Sequence, residues 1–438
     1  MVWKFKGGVH PKDQKQYTQD LQIEIQEPPA RLYFPMLQHI GSELHPLVKV
    51  GSRVKVGEKL AECKNALATP IHSSVSGIVK EISRQVFPVN GVVDTIVIEN
   101  DFKDEWVELE PTVDWRQLSR EVLIEKIREC GIVGKGGATF PTYAKLTPPP
   151  TAKIDTLIIN GAECEPYLTS DYRVMIEYTN KVVVGIEILG IILNVKKVLI
   201  GIESNKPEAI EAMRKSIGER RDIEVVVVPT LYPQGGEKHL IKALIGKELK
   251  RGKLPYELGV VVQNVTTAKY VCDAVVEGRP MIDTVITLSG GGYNRPANVL
   301  ARLGSRFKDI VKIGEIDRNR TDKLIMGGPM MGIAQYSVEL PIIKGTTGIL
   351  ALTEKELNRK KTKSCISCGR CITACPMNLH PLEFVKCGLK EDYEGLETFH
   401  IMDCIDCGSC TYICPANRPL VETIKLGKAK LRELKRKG

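Results

Sequence analysis

The chain has 438 residues, 62 Lys and Arg against 53 Asp and Glu, a formal net charge of +9 and 5% aromatic residues. That length overfills a single hydrophobic core, so three or four domains are expected. The longest apolar run, residues 182–195, is broken by Glu187 and falls short of the roughly 20 apolar residues of a spanning helix, and the N-terminal MVWKFKGGVHPKDQK lacks the pattern of a signal peptide. Neither membrane crossing nor export is expected.

Part of the excess charge lies in residues 425–438 and from Arg359 to Lys363. Those runs suit solvation, an acidic protein or an anionic lipid surface. No aromatic residues interleave with them, so no nucleic-acid partner is expected.

In chain order, residues 1–110 read as short strands separated by glycine turns: VKVGSRVKVGEKLAE, ATPIHSSVSGIVKEI and GVVDTIVIEND. The pattern resembles barrel-sandwich domains of the biotinyl/lipoyl type. Lys64 lies near the position of a carrier lysine, but ECKNALAT lacks the small symmetrical turn of a swinging arm, which favours a structural or docking module.

Residues 111–280 change to an α/β texture. Strands are expected at TLIINGA, VKKVLIGIE, IEVVVVPT and GVVVQNV, with helices at YRVMIEYTNKVVVGIEILGIIL and PEAIEAMRKSIGER between them. Buried β-branched runs alternating with amphipathic helices predict a mainly parallel, Rossmann-like sheet, whose ligands bind beyond the carboxyl ends of the strands. Four polar or glycine-rich loops belong to this region: GIVGKGGATFPTYAK (131–145), NGAECEPY (160–167), YPQGGEK (232–238) and QNVTT (263–267). Singly, each is an ordinary connection. Converging on one sheet edge, they are what a nucleotide with a polar tail requires, and the glycines let backbone N–H groups approach an anion closely.

Residues 281–352 read as a small β-grasp domain: a strand, a glycine turn, one helix carrying Asn298 to Leu303, and a return strand in GTTGILAL. Residues 353–438 carry one cysteine spacing twice, Cys365, Cys368, Cys371 and Cys375 before Pro376, then Cys404, Cys407, Cys410 and Cys414 before Pro415. Two runs of C-x-x-C-x-x-C-x-x-x-C-P are the pattern of a helical two-cluster ferredoxin domain, in which the fourth cysteine of each run ligates the other cluster. Cys365, Cys368, Cys371 and Cys414 are therefore expected to hold one 4Fe-4S cluster, and Cys404, Cys407, Cys410 and Cys375 the second. The alternative of paired zinc sites or a disulfide set fits poorly, because structural zinc spacing rarely runs to four cysteines and a proline twice over. Cys63, Cys130, Cys164, Cys272 and Cys387 are scattered, and reduced cluster thiolates predict a cytoplasmic setting.

The loops resemble the flavin-binding subunit of respiratory complex I. Along nearly its whole length, domain order included, the chain resembles the RnfC subunit of the Rnf electron-transport complex. That resemblance implies FMN held by Gly134, Lys135, Gly136, Gly137, Lys145, Asn160, Glu163, Cys164, Tyr232, Gly235, Gly236, Glu237, Gln263, Asn264 and Thr267. It implies NAD(H) as substrate, against Phe140, Glu165 and Glu237. It also implies membrane-embedded and ferredoxin-facing partner subunits, a peripheral place on the cytoplasmic face of the cell membrane, and coupling to Na⁺ or H⁺ movement.

Thr139 stands where the family usually has glycine. Relative to the complex I subunit, Ala162 replaces an acidic residue and Gly236 replaces a glutamate. A hydride carries two electrons and a cubane accepts one, so a flavin between them completes an oxidoreductase. Rival readings are a cobalamin reductase with the same domain order, and a cluster scaffold with an empty nucleotide site. His239 reads equally as a helix-face residue or a ligand.

Overall fold

The computed structural model describes residues 2–64, 66–89 and 91–437. The first strand departs from the expected grouping. β1 (Ile23–Ile25) leaves the N-terminal module and pairs in parallel with a strand near residue 300. The barrel sandwich is built from β2 (Arg31–Pro35), β3 (His45–Pro46), β4 (Arg53–Val54), β5 (Lys59–Glu62), β6 (Ile71–His72), β7 (Gly77–Val86) and β8 (Val92–Asn100). They form two sheets, β2-β8-β7-β4 and β3-β5-β6, around Leu32, Phe34, Val54, Leu60, Ile71, Val79 and Ile98. Gly77 is required where β7 meets β8, since a Cβ there would stand 2.0 Å from the Glu99 carbonyl oxygen. Lys64 is exposed and ion-paired with Glu62, and its carbonyl accepts from Arg128 of the next module.

The four expected strands of the α/β region are present as β9 (Thr156–Gly161), β10 (Lys197–Glu203), β11 (Ile223–Val228) and β12 (Val260–Asn264). All pair in parallel, in the order β11-β10-β9-β12. The long helical stretch divides at Tyr178 into Ser170–Glu177 and Thr179–Leu193, and the Thr179 hydroxyl donates to the carbonyls of Met175 and Ile176 that the break exposes. Helix Val265–Val276 is buried along almost its whole length. It is wedged so tightly against Thr179–Leu193 that a Cβ on Gly185 would lie 1.8 Å from the Ala268 carbonyl oxygen.

The third module is a sheet of six strands in the order β1-β14-β13-β17-β15-β16, using β13 (Asp283–Ser289), β14 (Ala297–Arg302), β15 (Lys323–Met326), β16 (Ile333–Gln335) and β17 (Gly348–Leu352). Here the sequence reading is corrected: residues 298–302 are strand, not helix. The glycine turn closes an antiparallel β13–β14 hairpin, and only the single turn Phe307–Ile310 is helical. The strand places Asn298 where its side chain donates to the carbonyls of Thr18 and Leu21, at 2.8 and 3.1 Å, and accepts from Thr169 and Thr287. One continuous apolar core runs between this sheet and the parallel sheet.

The last module repeats itself in backbone as well as sequence. Ser367 and Asp406, Gly369 and Gly408, and Asn378 and Asn417 all take left-handed conformations at matching positions. Each Cys-x-x-Cys turn then runs into a short helix, Arg370–Thr373 or Ser409–Tyr412. Among the described residues, no helix is long and apolar enough to cross a membrane.

Candidate active site

The glycine loop lies at the start of helix Val265–Val276. Asn264 caps that helix, its side-chain oxygen accepting from the N–H groups of Thr266 (2.7 Å) and Thr267 (3.2 Å), while the Thr267 hydroxyl accepts from Lys135 N–H at 2.9 Å. Gly136, Gly137 and Ala138 are exposed at the loop tip. A Cβ on Gly137 would meet nothing within 4 Å, whereas Gly136 has φ +69° and lies against Asn264. Exposed glycine N–H groups beside the positive end of a twelve-residue helix make an anion-binding concavity.

The sequence reading missed Asp171. Its carboxylate accepts from Asn264 Nδ2 (2.7 Å) and the Thr266 hydroxyl (2.6 Å), which fixes the cap. An Asn followed by two threonines was the available signal for the cap. Asp171 itself gave none, because it arrives from a different helix.

The carboxyl ends of the parallel strands form the rest of the wall. Asn160 at the end of β9 donates to the Gly235 carbonyl at 2.8 Å, and Gly235 N–H points at Cys164 Sγ, 3.4 Å away. Gly235 must lack a side chain, since a Cβ would lie 2.3 Å from the Ala162 carbonyl oxygen. Lys145 pairs with Glu237 at 2.9 Å and donates to the Val262 carbonyl. Gln263, at the end of β12, is buried with its amide nitrogen unpaired among the described residues, as is Gln234 Nε2. Buried donors without acceptors are costly. This donor set, a glycine cradle plus unpaired side-chain N–H groups, fits a phosphate-bearing group with a polar ring edge.

Three predicted side chains are committed elsewhere. The buried Lys135 ammonium donates to Thr284 Oγ1 and to the carbonyls of Lys344 and Thr346 in the third module, and burial lowers its pKa to about 8. Glu163 accepts from Ser170 Oγ and Asp171 N–H at a helix start, and burial raises its pKa against the opposing influence of Lys15. Glu165 accepts from the N–H groups of Met330 (3.0 Å) and Met331 (2.9 Å), and burial pushes it up to about 7. Thr139 takes φ +54°, a left-handed conformation that is unusual for a β-branched residue, and it packs against Gly345. Half-buried Phe140 stands next to it, its carbonyl accepting from Gly134 N–H.

The cysteines group across the two repeats. Cys375, Cys404, Cys407 and Cys410 line one cavity with Leu379, Phe384, Val421 and Ile424. Burial raises the pKa of Cys404 to about 12, and neighbouring sulfurs add to the effect of burial on Cys410. Coordination to a metal cation would deprotonate such thiols. Cys371 is raised first by burial and then by the nearby charges of Cys414 and Cys365. Backbone N–H groups of Ser367 and Asp406 point at Cys365 and Cys404 sulfurs, each at 3.4 Å. None of the thirteen cysteines forms a disulfide.

The two halves meet at Tyr232. Its hydroxyl donates to the Cys407 carbonyl (2.8 Å) and contacts Glu165 Oε1 (3.5 Å), and its backbone pairs with Val9. Met330 packs beside it, with its carbonyl 2.9 Å from where a Gly408 Cβ would stand. His239 is a contact residue: Nε2 lies 3.2 Å from the Pro376 carbonyl and its ring packs on Phe5.

Comparison with known proteins matches parts of the chain to family models. Residues 3–103 match the RnfC barrel sandwich hybrid domain and residues 127–273 the Nuo51 FMN-binding domain. Residues 364–418 and 334–380 match 4Fe-4S dicluster domains. The C subunit of the proton-translocating ferredoxin:NAD(+) oxidoreductase complex of Clostridium ljungdahlii is 48% identical over 92% of this chain and 88% of its own. The chain belongs to the RnfC family, the C subunits of ion-translocating ferredoxin:NAD⁺ oxidoreductase (Rnf) complexes. The Na(+)-translocating counterpart of Acetobacterium woodii is 38% identical, covering 91% of this chain and 90% of its own. The C subunit of the ion-translocating oxidoreductase complex of Rhodobacter capsulatus is 42% identical, covering 91% and 78%. In fold, an NAD+-reducing [NiFe]-hydrogenase in the H2-reduced state aligns over 73% of this chain and 64% of its own, with TM-score 0.50 and 16% identity. The barrel-sandwich, flavin and two-cluster modules of this RnfC-family chain are thus as expected, with FMN and two 4Fe-4S clusters as its cofactors.

Proposed function

We propose that this chain is the NAD(H)-facing oxidoreductase subunit of an Rnf complex, exchanging hydride with NAD(H) and passing single electrons through its two clusters. FMN bound in the pocket supplies the conversion between two-electron and one-electron transfer. The chain's own part is to bind, orient and insulate. Gly134, Gly136 and Gly137 with the Asn264-capped helix would hold the phosphate. Asn160, Gln263 and the Lys145–Glu237 pair would orient the ring, and Phe140 at the loop exit would face the nicotinamide. Lys135, Glu163 and Glu165 would act one step back, holding the walls in place.

One observation carries this reading. The Tyr232 hydroxyl bonds the Cys407 carbonyl at 2.8 Å, so the loop after β11 that lines the pocket also touches the buried cysteine set. The supported order is pocket, then the Cys404 set, then the Cys365 set. Other subunits of the complex are its partners. A peripheral place on the cytoplasmic face, beside membrane-embedded subunits that move the ion, is part of the proposal.

The test is an anaerobic visible titration of cluster-reconstituted, FMN-supplemented protein with NADH. Bleaching of both flavin and iron–sulfur absorbance is expected. Bleaching by dithionite alone would remove NAD(H) from the reading and favour the cobalamin-reductase or scaffold alternatives.

A further inference from the structure

Residues 3–15 lie across the join between the flavin module and the cysteine repeats, and the flavin module holds both ends of this strap. At one end Trp3 N–H donates to the Ala243 carbonyl at 3.0 Å, and the Trp3 ring covers Gly246, where a Cβ would stand 2.7 Å from it. At the other, the Asp13 carbonyl accepts from Tyr167 N–H at 2.7 Å. The buried Lys15 ammonium donates to the carbonyls of Glu165 (3.0 Å) and Leu168 (2.5 Å).

Between those anchors, three consecutive residues touch both sides of the join. Gly7 has φ +77°, and a Cβ there would lie 2.6 Å from the Cys375 carbonyl oxygen. Gly8, at φ +85°, donates its N–H to the Ala374 carbonyl at 3.0 Å, and its own Cβ would lie 2.8 Å from the Tyr232 carbonyl oxygen. Only glycine combines a left-handed φ with so close an approach. Val9 exchanges both backbone hydrogen bonds with Tyr232, at 2.8 and 3.0 Å. Val9, Tyr232, Ala374 and Cys407 pack as one small buried cluster, and Cys375 and Cys407 line the same cavity. The strap thus reaches the buried cysteine set at Cys375, while Tyr232 reaches it at the Cys407 carbonyl.

We propose that Gly7, Gly8 and Val9 are positioning residues that set the buried cysteine set, Cys375 with Cys404, Cys407 and Cys410, at a fixed separation from the flavin pocket. The inference rests on the relay proposed above. The step it serves is a one-electron transfer: the pocket side loses one electron, the cluster held by these cysteines gains one, and no bond is formed or broken. Such a step depends on held geometry, so a misplacement of about 1 Å is costly. Anchoring alone is met by the Trp3 and Lys15 contacts. It gives no reason for two left-handed glycines at the point where the Cys375 turn and the Tyr232 loop come against one stretch of chain.

The experiment uses the full chain with its clusters reconstituted anaerobically, and iron content and visible spectrum verify loading. Gly7→Ala places a methyl against the Cys375 carbonyl, and Trp3→Ala/Phe5→Ala is a milder variant that removes the contacts on Gly246 and on the His239 ring. Gly51→Ala, at φ +89° with nothing within 4 Å, carries backbone strain in the barrel sandwich and is the control. Amide hydrogen exchange is read without FMN or NADH. In Gly7→Ala the loop around Tyr232 and the turn around Cys375 should both exchange about tenfold faster, with the barrel unchanged. The milder variant should move the same two segments by less, and Gly51→Ala neither. With FMN added, NADH should bleach the flavin of Gly7→Ala at the parent rate and its iron–sulfur absorbance about tenfold more slowly. Parent-like exchange in both segments, acceleration of one alone, or the same loosening in Gly51→Ala overturns the proposal. So does parent-like iron–sulfur bleaching in a protein whose two segments have loosened. If Gly7→Ala does not assemble its clusters, the milder variant decides by the same criteria. If NADH leaves the parent flavin unbleached, the NAD(H) reading fails by itself, and the exchange measurement, which uses neither FMN nor NADH, still decides the role of the strap.

Discussion

Gly137→Ala separates binding from folding. Gly137 does not have a positive φ, and an added methyl would meet nothing within 4 Å. The folded chain should therefore tolerate alanine, and the lost backbone freedom of the unfolded state should leave stability unchanged or raised by about 0.5 kcal/mol. If the loop holds a phosphate, the same methyl stands where the anion must approach the N–H groups. Losing one charge-assisted hydrogen bond, worth about 1.5–3 kcal/mol, weakens FMN by roughly 10- to 150-fold. Quenching of FMN fluorescence on titration into apoprotein measures the affinity, and thermal unfolding of the same protein measures stability. Gly235→Ala is the contrast: its methyl would lie 2.3 Å from the Ala162 carbonyl oxygen, so it should lower affinity and stability together. A Gly137→Ala protein that binds FMN as tightly as the parent would refute the cradle.

Three further outcomes are expected. Burial lowers the Lys344 pKa from 10.5 to about 7. The folded state therefore prefers the neutral amine, and stability is lowest below pH 7 and climbs by about 1.4 kcal/mol per pH unit towards 10.5. Lys344→Met should lack that climb, so the parent should gain about 2–3 kcal/mol on the variant between pH 7 and 9 in anaerobic urea unfolding; parallel pH profiles would be the wrong result. Gly185→Ala should lower stability by about 1–3 kcal/mol or prevent folding, because the helix against Ala268 has nowhere to move. Thr139→Gly relieves a left-handed β-branched residue and should stabilise by about 1 kcal/mol; a lower melting temperature would mean that the Gly345 contact outweighs the strain.

Much of the site was legible because it is local. The Cys-x-x-Cys spacings, the glycine loop and the polar loops after strands all lie within a few residues of chain. The four parallel strands announced themselves by β-branched runs long enough to be buried on both faces. The β14 strand did not, because ANVLAR suits helix or strand alike. Its state was decided by the β13 hairpin and by Asn298, which in a strand satisfies Thr18 and Leu21 from the other end of the chain. The same non-locality pulled β1 out of the barrel and hid Asp171.

By itself the sequence determined the module order, the parallel sheet and the two-cluster cysteine pattern, since periodicity and ligand spacing are properties of short segments. Only the tertiary structure decided which charged groups stay free. Lys135 and Glu165 look like ligand contacts in sequence, but folding buries them and gives them partners from the third module. It also decided that one of two equal cysteine runs is buried against Tyr232 while the other faces solvent. Burial depends on what packs against a segment, and a local motif does not carry that information.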